Sequence, residues 1–273
     1  MTRTAISPLL AIRIFFSTGD NLSLMDHLNA NQSSQWHIQT VSETGSTNTD
    51  LMEKGLAGAP DRSVLRADFQ SAGRGRLDRT WEAPVGVNLL VSLLFRHVPE
   101  RVHVLTQVVA LAATQVAREV CGVPSILKWP NDILVGSEKL AGILAQAAPV
   151  DSHGQIPFVV VGIGCNLGWA PPGATSLAQC GWTKEVTPDE FLAAMLPIID
   201  SLLALDESTL HETYVSQLAT VGSEVRAEMP DGTNIIGRAI SVEPDGQLVI
   251  LDDCAITHRV NTADVVHLRP ASE

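Results

Sequence analysis

The run VNLLVSLLFR at residues 87–96 is apolar almost from end to end. A strand without in-and-out alternation is suited to burial on both faces, so this segment asks for packed layers above and below it. One covering layer is close by in sequence. VHVLTQVVALAATQVAREV sets Val104, Leu105, Val108, Val109, Leu111, Ala112 and Val116 at helical spacing and ends at Cys121-Gly122, which predicts a long core-packing helix.

The remaining texture is mixed. GSTNTDLMEKGLAG predicts a short helix with Ser46 or Thr47 as N-cap. SVLRADFQS, KLAGILAQ and FVVVGIGCNLGW read as strands, and SILKWPNDILV reads as strand, turn and strand about Pro130-Asn131-Asp132. TPDEFLAAMLPIIDSLLALDE opens with Thr187, Pro188 and Glu190, a capping-box pattern, with a kink expected at Pro197; ESTLHETYVSQLA is a further short helix. From Val221 short β-type runs alternate with two Pro-Asp-Gly turns at 230–232 and 244–246, the pattern of a small barrel of four to six strands. The expected organisation is an extension of weak order over 1–35, a catalytic-sized unit over 36–220 and a small barrel over 221–273.

With 18 Lys and Arg against 30 Asp and Glu, the chain carries a formal charge of -12. That balance argues against broad nucleic-acid binding, and any anionic ligand needs a local cationic site. Cys121, Cys165, Cys180 and Cys254 show no metal spacing and read as free thiols of a reducing compartment. Arg13 interrupts the first apolar run, which therefore does not read as a signal peptide, and no stretch is long and apolar enough to span a membrane.

SAGRGRLDRTW, residues 71–81, supplies such a cationic site: Arg74, Arg76 and Arg79 on a glycine-jointed segment. Gly73 and Gly75 let backbone approach a ligand, and guanidinium forks match carboxylate and phosphate oxygens. Read alone, this is equally a solvated charged loop. KWPND places Lys128, Trp129, Asn131 and Asp132 around one turn; EKLAGIL puts Lys139 at the mouth of a strand with Gly142; GIGCN ends a strand with Gly162, Gly164 and Asn166. Each has an ordinary packing explanation by itself.

Taken in order, GSTN at 45–48, FQSAGRGR at 69–76, KWPND at 128–132, KLAGIL at 139–144 and GIGCN at 162–166 resemble the bacterial biotin protein ligases, over roughly residues 36–270. The resemblance implies an α+β fold: a large mixed-sheet catalytic domain of the biotin/lipoate ligase type, followed by a small SH3-like β-barrel. It implies a two-step enzyme in which biotin and MgATP give biotinyl-5'-AMP and pyrophosphate, after which a lysine of a biotin carboxyl carrier protein of an acyl-CoA carboxylase takes the biotinyl group. ATP and Mg2+ are the implied cofactors, biotin is a substrate, and no protein metal ligand is assigned.

By the same resemblance Lys139, Arg74 and Arg76 are catalytic. Ser46, Thr47, Asn48, Gln70, Gly75, Gly142 and Gly162 join them around biotin, and Arg76, Arg79, Trp81, Asn131, Lys139 and Asn166 surround ATP, with Trp81 under the adenine. Asp132 is a candidate to orient ligand or lysine, or to act as base for the acceptor lysine. The chain departs from the family pattern at Asp78, where glycine is usual, and at Gln146, where an acidic side chain is usual; both put binding strength in question. Fewer than fifty residues precede GSTN and carry no basic helix-turn-helix pattern, so a monofunctional cytoplasmic ligase that binds neither DNA nor membrane is expected. A lipoate or octanoate protein ligase and a non-catalytic biotin sensor are the competing readings; the former lacks its own arginine-serine-glycine-glycine loop here, and the latter has no need of Lys139 with two loop arginines.

Overall fold

The computed structural model describes residues 36–76, 79–229, 231–261 and 264–267. The expectations placed on residues 1–35, Asp78 and Pro230 fall outside the described residues.

The elements run β1 (His37–Thr44), α1 (Thr47–Leu56), β2 (Ser63–Gln70), β3 (Leu89–Phe95), α2 (His103–Glu119), β4 (Ser125–Lys128), β5 (Asp132–Val135), β6 (Glu138–Ala147), β7 (Val159–Cys165), α3 (Pro188–Leu203) and α4 (Glu207–Ser216). Strands β8 (Glu224–Glu228), β9 (Asn234–Val242), β10 (Leu248–Leu251), β11 (Thr257–Val260) and β12 (Asp264–His267) follow. The first seven strands form one sheet in the order β1-β2-β3-β7-β6-β5-β4. Only β1 and β2 pair in parallel, because α1 carries the chain back between them; every other pairing in this sheet is antiparallel. The result is the mixed sheet of an α+β protein.

β3 is buried at all seven positions, as its composition requires. Period two divides its side chains: Leu89, Val91, Leu93 and Phe95 join the large cluster under α2 and α3, whereas Leu94 packs with Leu51 of α1, Leu65 and Phe158 on the other face. Gly55 brings α1 close to that second face, since a Cβ there sits 2.4 Å from the Phe158 ring. The capping box of α3 is formed, with Glu190 N donating to Thr187 Oγ1 and Thr187 N to Glu190 Oε2, and the helix continues through Pro197.

The last five strands form an antiparallel sheet in the order β11-β10-β9-β8-β12. Its turn at Gly246 (φ +87°) is one that favours glycine, and a Cβ there lies 2.9 Å from the His103 ring. Trp129 of the KWPND turn is buried and holds the two sheets together, its Nε1 donating to the Gly246 carbonyl at 2.9 Å and its backbone N–H to Thr220 Oγ1. All four cysteines are free thiols: Cys121 and Cys165 are buried, Cys180 is half-buried and Cys254 is exposed. Burial pushes the Cys121 thiol up to about 11 and Cys165 higher still.

Candidate active site

One face of the large sheet is bare at its centre. In β7 glycines alternate with apolar residues: Ile163 and Cys165 point into the core, and Gly162 and Gly164 face the other way. β6 repeats the pattern, so Gly142 lies opposite Gly164. The missing side chains make a trough. A Cβ on Gly162 would fall 2.1 Å from Asn48 Oδ1, and one on Gly164 2.3 Å from the Trp81 ring.

Lys139 reaches this trough through a register shift. Ala141 pairs with Ile133, but Lys139 pairs with Leu134, so β6 carries one extra residue, and Leu140 and Ala141 both turn into the core. Such a bulge re-aims the side chain beside it. Lys139 Nζ then stands 2.6 Å from Asp132 Oδ1, 5.7 Å above the Trp81 ring and 3.0 Å from the Cβ position of Gly142.

The arginine segment closes over the trough. Its start is held on the β1–α1 joint, where Ser71 N and Ala72 N donate to the Thr44 and Gly45 carbonyls. It then doubles back: Arg74 and Thr80 pair as an antiparallel bridge, Gly75 N donates to Arg79 O at 2.6 Å, and Trp81 N donates to Gly73 O at 3.0 Å. Gly73 permits this, since a Cβ there would meet the Trp81 carbonyl oxygen at 2.4 Å. Arg74 is exposed, and Arg76 bonds Asn131 Oδ1 at 3.2 Å.

At the far end α1 begins with Ser46 as an N-cap whose side chain makes no capping bond. Thr47 N and Thr47 Oγ1 both donate to Gln70 Oε1, at 2.7 and 2.9 Å. Between this polar end and the cations lies a cavity of about 300 Å³, enough for a small organic ligand. Among the described residues its charged lining is Arg74, Arg76, Arg79 and Lys139 against Glu82 and Asp132. A local excess of positive charge thus exists inside an acidic chain.

The structure brings all the predicted site residues to this one cavity: Ser46, Thr47, Asn48, Gln70, Arg74, Gly75, Arg76, Arg79, Trp81, Asn131, Asp132, Lys139, Gly142, Gly162 and Asn166. A sequence profile of the Biotin/lipoate A/B protein ligase family matches residues 41–166, the span that builds it. The chain is 36% identical over 266 residues to the biotin–[acetyl-CoA-carboxylase] ligase of Mycobacterium tuberculosis, covering 92% of this chain and 96% of that one. It is 28% identical to the bifunctional ligase/repressor BirA of Bacillus subtilis, over 76% of this chain and 66% of that protein. Its fold is similar to that of the Aquifex aeolicus biotin protein ligase in complex with biotin and ATP, with a TM-score of 0.71 at 26% identity over 86% of this chain and 99% of that one.

The chain belongs to the biotin protein ligase family.

Membership gives the cavity its context, and two of the asparagines that line it, Asn131 and Asn166, are bonded to backbone. The amide of Asn166 in this ligase is turned into the protein, Nδ2 donating to Thr175 O at 3.1 Å while Oδ1 accepts from Asn88. Asn131 Nδ2 donates to Ile143 O at 2.7 Å. Both shape the wall by holding backbone. Asn88 and Ser92 are the polar residues that sequence reading missed. Asn88 Oδ1 accepts from Leu167 N and Trp169 N, tying down the segment after GIGCN, and Ser92, fully buried, stands beside Thr47 and Asn48. Their signal was present: they are the polar interruptions of an otherwise apolar run.

Proposed function

We propose that this enzyme joins biotin to ATP as biotinyl-5'-AMP and passes the biotinyl group to a lysine of a biotin carboxyl carrier protein. The observation that carries the proposal is the meeting of Arg74, Arg76 and Lys139 at the cationic end of a cavity whose other end presents Thr47 and Gln70. The ureido head of biotin takes the polar end, with Ser46, Thr47, Asn48 and Gln70 around it, and the tail lies in the glycine trough. Gly142, Gly162 and Gly164 make room for Lys139, Asn48 and Trp81 to lie close against the sheet, and the tail runs over that floor.

The two reacting groups are both anions. At 4 Å their repulsion is about 4 kcal/mol at an effective dielectric near 20. Lys139 with the two arginines neutralises it, and the biotin carboxylate oxygen forms a bond to the α-phosphorus as the bond to pyrophosphate breaks. No covalent enzyme intermediate is needed, so catalysis rests on positioning and charge. Trp81 offers its ring to the adenine, and Arg79 borders the same end. Among the described residues no three His, Cys, Asp or Glu side chains can hold a metal; Mg2+ would enter with the nucleotide and would add positive charge at the phosphates.

The carrier lysine gives up one proton to water and attacks the biotinyl carbonyl carbon as the neutral amine, the bond to the AMP oxygen breaks and AMP leaves, and Asp132, paired with Lys139 until then, accepts the second amine proton. The route for that lysine is a second cavity of about 320 Å³ between the two sheets, lined by His103, Trp129, Tyr214 and Asp245 and sharing Arg76, Asn131, Ile143 and Leu144 with the first. Asp245 gives it a negative wall for an incoming ammonium. The carrier is that of an acyl-CoA carboxylase, and the reading places the reaction in the cytoplasm without DNA or membrane; among the described residues no helix is long and apolar enough to cross a membrane.

The test is exchange of labelled pyrophosphate into ATP. Biotin should start the exchange and lipoate or octanoate should not; folded protein that binds ATP but shows no biotin-dependent exchange contradicts the proposal.

A further inference from the structure

A buried relay of side chains runs behind the polar end of the cavity, from β6 through α1 and β3 to β2. Asn48 Nδ2 lies 3.1 Å from the Leu144 carbonyl oxygen and 2.9 Å from Gln146 Oε1. A backbone carbonyl can only accept, so this end of the Asn48 amide is its NH2, and the atom that Gln146 turns toward it must also be an acceptor. Asn48 Oδ1 consequently faces Ser92 Oγ, at 2.6 Å, and takes the single serine proton.

The opposite end is fixed by another group with one role. The Thr47 backbone N–H can only donate, and its partner 2.7 Å away is Gln70 Oε1, which leaves Gln70 Nε2 as a donor turned elsewhere. Thr47 Oγ1 stands between the two ends, 2.8 Å from Ser92 Oγ and 2.9 Å from Gln70 Oε1. Ser92 has already donated, so both neighbours of the threonine hydroxyl are acceptors. Its proton goes to one of them, and it presents lone pairs to the cavity.

We infer that Gln146, which does not line the cavity, is a positioning residue: beside the Leu144 carbonyl it holds the Asn48 amide in the orientation that hands Oδ1 to Ser92, and position 146 requires an acceptor and not a charge. The inference rests on the biotin ligase reading, because the pattern at this end of the cavity, an acceptor at Thr47 beside the donor that the Thr47 backbone N–H leaves at Gln70, is the complement of a cyclic urea with N–H donors and a carbonyl acceptor. It also accounts for an amide standing where an acid is expected: either side chain offers Asn48 an oxygen.

The test is biotin affinity by calorimetry, ATP KM under saturating biotin and thermal unfolding, on Gln146→Glu, Gln146→Met and Gln146→Lys. Met removes the acceptor and should raise the biotin Kd about tenfold, in line with one lost buried hydrogen bond. Lys opposes donor to donor while the Leu144 carbonyl still holds the Asn48 NH2, so Asn48 must leave its place, and the effect should exceed that of Met. Glu should restore binding to within about threefold of the parent, and ATP KM should stay within about twofold throughout, because the change is confined to one end of the site. In a Ser92→Ala background the relay is cut, so the three substitutions should converge in biotin affinity; that coupling is the signature of a connected network.

The inference is overturned if Met and Lys bind biotin like the parent, if Glu binds as weakly as Met, if ATP KM rises in step with biotin Kd, or if the Ser92→Ala background leaves the differences intact. Failure of the underlying reading is distinguishable, since a parent enzyme without biotin affinity condemns the ligase proposal itself, whereas a parent that binds with indifferent variants condemns only the relay.

Discussion

The two faces of the seven-stranded sheet are made by the same strands and behave as opposites. On the face under α2 and α3, Leu93, Val161, Ile163 and Cys165 are nearly inaccessible to solvent and belong to one cluster. One residue along the chain in each case, Ser92, Gly162 and Gly164 face α1 and the arginine segment, and side chains there are small, polar or absent. The core face gains stability from its own apolar side chains; the site face gives up side chains so that Asn48, Trp81 and Lys139 can lie against it. Alternation with period two lets neighbouring residues serve both ends without compromise, and substitutions on the two faces should therefore separate stability from chemistry.

The largest expected effect on the site face is the loss of its cations. Arg74→Ala combined with Arg76→Ala should slow biotin-dependent pyrophosphate exchange about 10³-fold, as removal of preorganised charge at a developing anion does, with the thermal transition unmoved. A double variant within tenfold of the parent would deny the arginine segment its role.

Next comes the room that glycine leaves for Asn48. Gly162→Ala adds one methyl group where Asn48 Oδ1 is 2.1 Å away and Asn48 is itself held by Leu144 and Gln146. Biotin Kd should rise about 100-fold, two decades of affinity being roughly 2.7 kcal/mol, an effect of the size expected from overpacking. Calorimetry checks it, and unchanged affinity would mean that the ligand does not use the trough.

The smallest effect belongs to neither face but to the junction with the small sheet. Burial lowers the His103 pKa below its ordinary 6.5; Asp245 partly opposes that shift, and Arg101 and His211 reinforce it. A histidine held neutral in the folded protein binds fewer protons than in the unfolded chain, so its contribution to stability is lost as pH falls below about 6.5 and is constant above it. His103→Gln should flatten the acid limb of thermal stability between about pH 6.5 and 5 and leave pH 8 unchanged. An acid limb as steep as the parent's would remove His103 from the account.

How much of this was legible beforehand follows from which interactions are local. The apolar run at 87–96 announced a central strand, the Thr187–Glu190 box announced a helix start, and both are as read, because each depends on neighbours within a few residues. The residues expected at the site through motif resemblance all line one cavity, though Ser92 behind it was not among them. The orientations of the site residues were not legible. Lys139 sits at an odd position of β6 beside Ala141, and strict alternation sends it into the core; only the register shift against β5, a property of two strands, returns it to the site. Asn166 was expected to face the nucleotide, yet its amide is bonded inward to Thr175, a partner that only the folded loop supplies. Gln146 read only as a departure that puts binding strength in question, because its partner, Asn48, is nearly a hundred residues away.

Lys139 and Leu140 are adjacent on either side of that register shift, and they test the division of the sheet most directly. Exchange rate per folded molecule and thermal unfolding should be measured on Lys139→Met and Leu140→Ala side by side. The account predicts that Lys139→Met slows exchange about 10³-fold with unfolding unchanged, and that Leu140→Ala costs about 2–5 kcal/mol of stability with exchange per folded molecule within about threefold of the parent. Exchange that survives Lys139→Met, or that collapses in folded Leu140→Ala while stability holds, contradicts it.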